Sequence, residues 1–355
     1  STLADHSAVA YNGYIYTTGG ERDWVSGPTY NYVYISPIAI AENAAVSSTF
    51  SFYVTRNRNN IFNQTDWSGG PGQSGPVTST NAKFSTSTDN IDYASTIGSI
   101  SLSISFTGEL DDWNSTTPLP IPMVVAAGLY NGYIYAISAG ASDECYVSEA
   151  TTTVIYGQAN SNGTVSSWGT TIPLPNALIA EAFVVYNGYA YVIAGQTGPT
   201  TRTSTIWYSP INGDGTLDSW TTTTQLPYSI KDPSSVAYNG YMYTLGGRQQ
   251  SSDTSTVLYA QINGDGTLGS WTTTTNLPNI VSWLGVAAYN GYLYQVGGYY
   301  GADPSAIVNY APINGDGTLG SWSETTNVPA TVEKHTLAIN NGYLYIIGGT
   351  DDGIH

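Results

Sequence analysis

Ser235-Val236-Ala237-Tyr238-Asn239-Gly240-Tyr241-Met242-Tyr243-Thr244-Leu245-Gly246-Gly247 is the stretch on which the fold turns. Two runs of alternating, β-prone residues flank Asn239-Gly240, and both positions of such a two-residue turn need positive φ, which Asn and Gly tolerate best. The stretch therefore predicts a tight antiparallel hairpin, and Gly246-Gly247 breaks its second strand. Reading on, Ser255-Thr256-Val257-Leu258-Tyr259 predicts a third strand. Asn263-Gly264-Asp265-Gly266 reverses the chain again, and a fourth strand opens at Ser270-Trp271 and closes at Leu277-Pro278. Four antiparallel strands in about 50 residues form one supersecondary unit.

The unit recurs. Asn-Gly turns stand at Asn12, Asn131, Asn187, Asn239 and Asn290, with Asn341-Gly342 as the last, and the final five are 56, 52, 51 and 51 residues apart. Ile211 to Trp220 returns as Ile262 to Trp271 and Ile313 to Trp322, with looser copies ending at Trp168 and Trp113. An apolar strand, a tight turn, a Tyr-containing strand ending in Gly-Gly and a Trp opening the fourth strand resemble the kelch repeat. Gly246-Gly247, Gly297-Gly298, Gly348-Gly349, Trp220, Trp271 and Trp322 carry the resemblance. It covers residues 114 to 349 well and residues 1 to 38 more loosely, and lacks the Arg that often follows the fourth strand. The resemblance implies an all-β kelch-like β-propeller of four-stranded antiparallel blades.

Between Asn12 and Asn131 lie 119 residues, room for one extra degenerate blade. Phe106 to Trp113 aligns with Gly264 to Trp271, and counting back 32 residues from Trp113 reaches Asn81. Seven blades are therefore favoured within a single domain, the first with a long third-to-fourth strand loop over about Ala39 to Trp67. Six blades with one large insertion at about residues 39–105 is the alternative. The last repeat offers only two strands, around His335 to Ile339 and Tyr343 to Ile347. Its open edge is expected to be covered by residues 39–105, by a neighbouring subunit in an oligomer or filament, or by a C-terminal continuation.

Composition narrows the function. The net charge is −17, with five arginines and three lysines against 25 acids, so nucleic acid and anionic membrane surfaces are poor partners. No apolar run approaches the ~20 residues of a membrane span. No signal-like segment opens the chain, and Ser1 in place of Met fits a processed or trimmed product. A lone Cys145 gives neither an internal disulfide nor a CxxC metal site. Few cations and much Ser, Thr, Tyr and Asn suit an extracellular or cell-surface setting.

Strand direction puts both kinds of turn at one end of every blade and the loops after Gly-Gly and Leu-Pro at the other. The turn end hardly varies among the copies; the loop end varies freely. Arg22, Trp24, Arg202, Lys231, Arg248, Trp283, Tyr299 and Tyr300, with Glu333 and Lys334 nearby, gather at the variable end. Loops on a rigid scaffold are where binding residues concentrate. The expected function is a binding or structural module engaging a glycan or a protein there. The alternative is a propeller enzyme with a metal-assisted site at the channel mouth. His6 and His335 each lie six residues before an Asn-Gly, beside Asp5 and Glu333, and such a set suits a divalent metal, the one candidate cofactor. Asn212 to Leu217 resembles half of an EF-hand loop, but Thr221 stands where the bidentate carboxylate belongs. The sialidase Asp box needs a Gly where Leu217 and Leu268 stand, and galactose-oxidase-like copper chemistry finds no Cys-Tyr pair here.

Overall fold

A computed structural model describes residues 7–11, 14–18, 33–40, 46–56, 93–103, 106–110, 114–120, 125–138, 151–198, 200–250, 252–301, 303–340 and 343–349. It is all-β, and four-stranded antiparallel sheets recur along it. Blade 4 shows the pattern: Ser234–Tyr238, Tyr241–Leu245, Val257–Gln261 and Thr272–Thr273 pair in that order. The hairpin turn is as the residues require, with Asn239 at φ 49° and Gly240 at φ 82°. Asn131-Gly132, Asn187-Gly188 and Asn290-Gly291 repeat it within a few degrees. The fourth strand is shorter than expected, since only Thr272 and Thr273 pair with the third.

Blade 2 runs Val125–Tyr130, Tyr133–Ser138, Val154–Ala159 and Val165–Thr170. Blade 3 uses Ala182–Tyr186, Tyr189–Ile193, Ile206–Pro210 and Thr221–Thr222, and blade 5 uses Gly285–Tyr289, Tyr292–Val296, Val308–Pro312 and Ser323–Glu324. Blade 1 has Ser7–Tyr11, Tyr14–Thr18 and Val33–Ile40, with Asn114–Ser115 as fourth strand. Blade 6 shows Thr336–Asn340 paired with Tyr343–Ile347.

The six first strands neighbour one another in sequence order, and Ser7–Tyr11 touches both Val125–Tyr130 and Thr336–Asn340. That order leaves no place for a further first strand between blades 1 and 2. Among the described residues six first strands make up this circuit, and the third strand of blade 1 finds its fourth at Asn114–Ser115, directly after Trp113. Residues 38–111 form a compact unit of their own, in which Val46–Arg56 pairs with Tyr93–Ser103 and Ile38 and Ile40 pair with Leu110 and Phe106. Asn81, which would have begun the extra blade, lies outside the described residues.

The core lies between blades. In Tyr189–Ile193 successive side chains face opposite ways, as in any strand. Tyr191 and Ile193 pack with Met242, Leu258 and Leu268 of blade 4, while Ala190 and Val192 pack with Tyr135, Ile137 and Val154 of blade 2. Equivalent clusters join blades 1 and 2 and blades 4 and 5. Burying each large side chain contributes roughly 1.5–3 kcal/mol, so the stability of a blade resides in its neighbours.

Candidate binding face

The turn end is built as an interblade clamp, and this explains its constancy. The last Gly of each Asn-Gly-Asp-Gly turn sits on a Tyr ring of the preceding blade. A Cβ built on Gly266 would lie 2.4 Å from the Tyr189 ring, and those on Gly215 and Gly317 would meet Tyr133 and Tyr241 as closely. One residue pair along, Tyr135 Oη donates to Gly215 O at 2.8 Å, Tyr191 Oη to Gly266 O at 2.9 Å and Tyr243 Oη to Gly317 O at 2.8 Å. The Trp after each turn reaches back too: Trp271 Nε1 donates to Thr224 O and Trp322 Nε1 to Thr275 O. The turn carboxylate serves its own loop, since Asp265 Oδ1 accepts from Thr267 N and Oγ1. Those bonds hold the Asp265 carboxyl below the usual carboxylate range.

At the other end the backbone is just as regular. The second glycine, or its equivalent, donates into the next blade: Gly195 N to Ile230 O at 3.0 Å, Gly247 N to Val281 O at 3.0 Å and Gly298 N to Val332 O at 2.8 Å. The residue after that glycine exchanges two backbone bonds with the residue entering the first strand, as in the pairs Ile179/Gln196, Lys231/Arg248 and Ser282/Tyr299. The next residue, Ala180, Asp232, Trp283 or Lys334, adopts a left-handed φ of 51–56°. Left-handed non-glycine residues cost about 1–3 kcal/mol and persist only where surroundings over-determine them. Four equivalent positions hold this strain with four unrelated side chains.

Those side chains form a row across blades 3 to 6. Arg202 Nη1 donates to Gln250 Oε1 at 3.2 Å. Arg248 Nε pairs with Asp253 Oδ1 at 2.8 Å, and Ser282 Oγ donates to Asp253 Oδ2 at 3.1 Å. Lys231 Nζ lies 3.5 Å from Asp232 Oδ2. The Trp283 and Tyr299 rings lie 5.5 Å apart at 57°, and Lys334 Nζ stands 4.8 Å above the Trp283 ring. A cation over an indole face is an attractive arrangement. The structure thus brings Trp283, Tyr299 and Lys334 together and links Arg248 to them through Asp253 and Ser282. Tyr300 departs from expectation: it packs against the core between blades 4 and 5, and its hydroxyl donates to Gln295 Oε1 at 3.3 Å. Arg22 and Trp24 lie outside the described residues.

His335 and Glu333 are buried, at 8% and 6% exposure. His335 fills the space that side chains on Gly285 and Gly297 would need. His6 and Asp5 lie outside the described residues, and among those described no group of three or more His, Cys, Asp or Glu side chains is placed to hold a metal. The rule that singled out the histidines also finds a residue it was not applied to. Glu181 lies six residues before Asn187-Gly188, and both its carboxylate oxygens are shut off from solvent with no side-chain hydrogen-bond partner among the described residues. Desolvation, with the Asp232 carboxylate adding to it, pushes its carboxyl up to about 7.

No protein-family model matches the chain, and no curated protein does. Among solved structures it is similar to YjhT, with a TM-score of 0.60 and 13% identity over 99% of this chain and 92% of that one. At that identity the likeness speaks for the propeller fold alone.

Proposed function

We propose that this chain is an extracellular or cell-surface binding module of kelch-type repeats whose variable end engages a glycan or a protein. One observation carries the reading: equivalent backbone positions in successive blades, held by the same hydrogen bonds, present Ala180, Asp232, Trp283 and Lys334 and, beside them, Arg248 and Tyr299. A scaffold that keeps geometry fixed while side chains vary is suited to recognition. Trp283 and Tyr299 supply broad, low-entropy contact area. Arg202, Arg248 and Lys334 supply donors for the hydroxyl or carboxylate groups of a ligand.

The test is a glycan array and a co-purification screen run with wild-type protein and with the double variant Trp283→Ala, Tyr299→Ala. Loss of the captured ligand with an unchanged fold supports the reading. Undiminished capture by the double variant would sink it.

A further inference from the structure

Two kinds of Asn-Gly pair recur in the blades, and the fold needs the glycine in only one of them. In the hairpin turns Gly240 and Gly291 take a φ of 82°, a conformation that favours glycine. Their N–H groups donate to Tyr186 Oη and Tyr238 Oη at 2.9 Å. Asn212-Gly213, Asn263-Gly264 and Asn314-Gly315 open the other kind of turn, and all six residues are exposed. A Cβ built on any of these three glycines meets nothing within 4 Å, and none of the three has a positive φ. Blade 2 makes the same point, because Ser161 stands at the equivalent place. Asn160-Ser161 keeps the bonds of its counterparts. Asn160 Nδ2 donates to Thr164 Oγ1 at 2.9 Å, as Asn263 Nδ2 does to Thr267 Oγ1. Gly163 N donates to Asn160 O at 3.0 Å, as Gly266 N does to Asn263 O. Glycine therefore recurs three times where neither conformation nor packing requires it.

What glycine supplies after asparagine is reactivity. With no Cβ in the way, the glycine nitrogen can reach the asparagine Cγ. The N–H gives up its proton, a C–N bond forms to Cγ, and Nδ2 departs as ammonia, leaving a cyclic succinimide. Water then adds to one ring carbonyl and breaks its C–N bond. Addition at Cγ gives aspartate, and addition at the backbone carbonyl gives isoaspartate. We propose that Asn212, Asn263 and Asn314 are sites of this spontaneous deamidation, with water the only co-reactant. Among the described residues no hydrogen bond ties down the N–H of Gly213, Gly264 or Gly315. Asn239 and Asn290 are spared because a tyrosine hydroxyl holds the attacking nitrogen, and Asn160 because Ser161 brings a Cβ. The product acts on the interblade clamp. A carboxylate at position 263 cannot donate to Thr267 Oγ1, and isoaspartate lengthens the main chain that seats Gly266 on the Tyr189 ring. Each event also adds a negative charge beside Asp214, Asp265 or Asp316.

The experiment ages the full chain in mildly alkaline buffer at body temperature and follows each site by proteolysis and mass spectrometry, with isoaspartate separated from aspartate by chromatography. Asn212, Asn263 and Asn314 are expected to react roughly tenfold or more faster than Asn239 and Asn290, the ratio that one hydrogen bond on the attacking nitrogen supplies. Asn160 should stay intact. Gly264→Ala should halt the reaction at Asn263 while Asn212 and Asn314 continue, and the fold should hold because Ser161 already occupies the equivalent place. Tyr186→Phe, which releases Gly240 N, should raise the rate at Asn239 toward that at Asn263. Aged wild-type protein should melt at a lower temperature than an equally aged variant with Ala at positions 213, 264 and 315. Three sites that stay intact in the folded chain while a urea-unfolded control reacts at them overturn the proposal. So does reaction at Asn160 or Asn239 as fast as at Asn263.

Discussion

At the turn end, Gly215, Gly266 and Gly317 lie on the rings of Tyr133, Tyr189 and Tyr241, and the same residue type recurs because nothing larger fits. At the loop end, Ala180, Asp232, Trp283 and Lys334 share a left-handed backbone and no side-chain chemistry. Both ends are held by regular hydrogen bonds. They differ in what those bonds join: side chain to backbone across the interface at the turn end, backbone to backbone at the loop end. Where side chains make the joint, they are fixed by it. Where the backbone makes it, they are released for other uses.

The contrast can be broken most sharply at Gly266. Its φ of 82° and the Tyr189 ring leave no room for a side chain, so Gly266→Val should destabilise by roughly 3–5 kcal/mol, read from denaturant unfolding. A result within 1 kcal/mol of wild type would mean the clamp is not what holds blades 3 and 4 together.

Glu181 comes next, and its effect depends on pH. Its carboxyl stands at about 7 in the folded chain against 4.5 when unfolded, so the folded state holds the proton more tightly. The stability this confers is complete below about 4.5 and is lost as pH rises through about 7. Glu181→Gln should therefore match wild type at pH 4 and exceed it by about 3 kcal/mol at pH 8. Parallel stability profiles for the two proteins would refute the assignment.

Tyr191→Phe removes a single clamp bond and leaves the buried Gly266 carbonyl unmet, which should cost about 1–2 kcal/mol in thermal or urea unfolding. The smallest effect belongs to the loop end. Trp283→Ala with Tyr299→Ala should move stability by only about 0.5 kcal/mol, because neither ring belongs to an interblade core cluster. A loss several times larger would make that pair structural.

Blade chemistry was readable from the residues because Asn239-Gly240 and Asn263 to Gly266 are local signals whose turns need no tertiary help. The division of side chains between two ends followed from strand direction. The place of the segment after Trp113 was not readable, because that Trp can close either a degenerate extra blade or the first one; Tyr34 pairs with Ser115 and Ile35 with Asn114, a long-range contact that no local signal announces. Arg202, Arg248, Trp283 and Tyr299 were assigned to the loop end by strand direction. Tyr300 was assigned with them, and its packing against the core, with its hydroxyl on Gln295, is set within blade 5 and carries no signal in the loop sequence. Gln250 and Asp253, which tie the row together, carry no repeat signal. Glu181 did carry one, its spacing from Asn187.

The clamp also has a direction, and direction matters on a ribosome. Every grip is made by a later blade on an earlier one. Tyr191 must wait for Gly266, 75 residues further on, before its hydroxyl is satisfied. At the ~5–20 residues per second of synthesis, each new blade spends several seconds with its tyrosines uncovered. Sealing then proceeds as a wave that trails elongation by about one and a half repeats, with the youngest blade always the unfinished one.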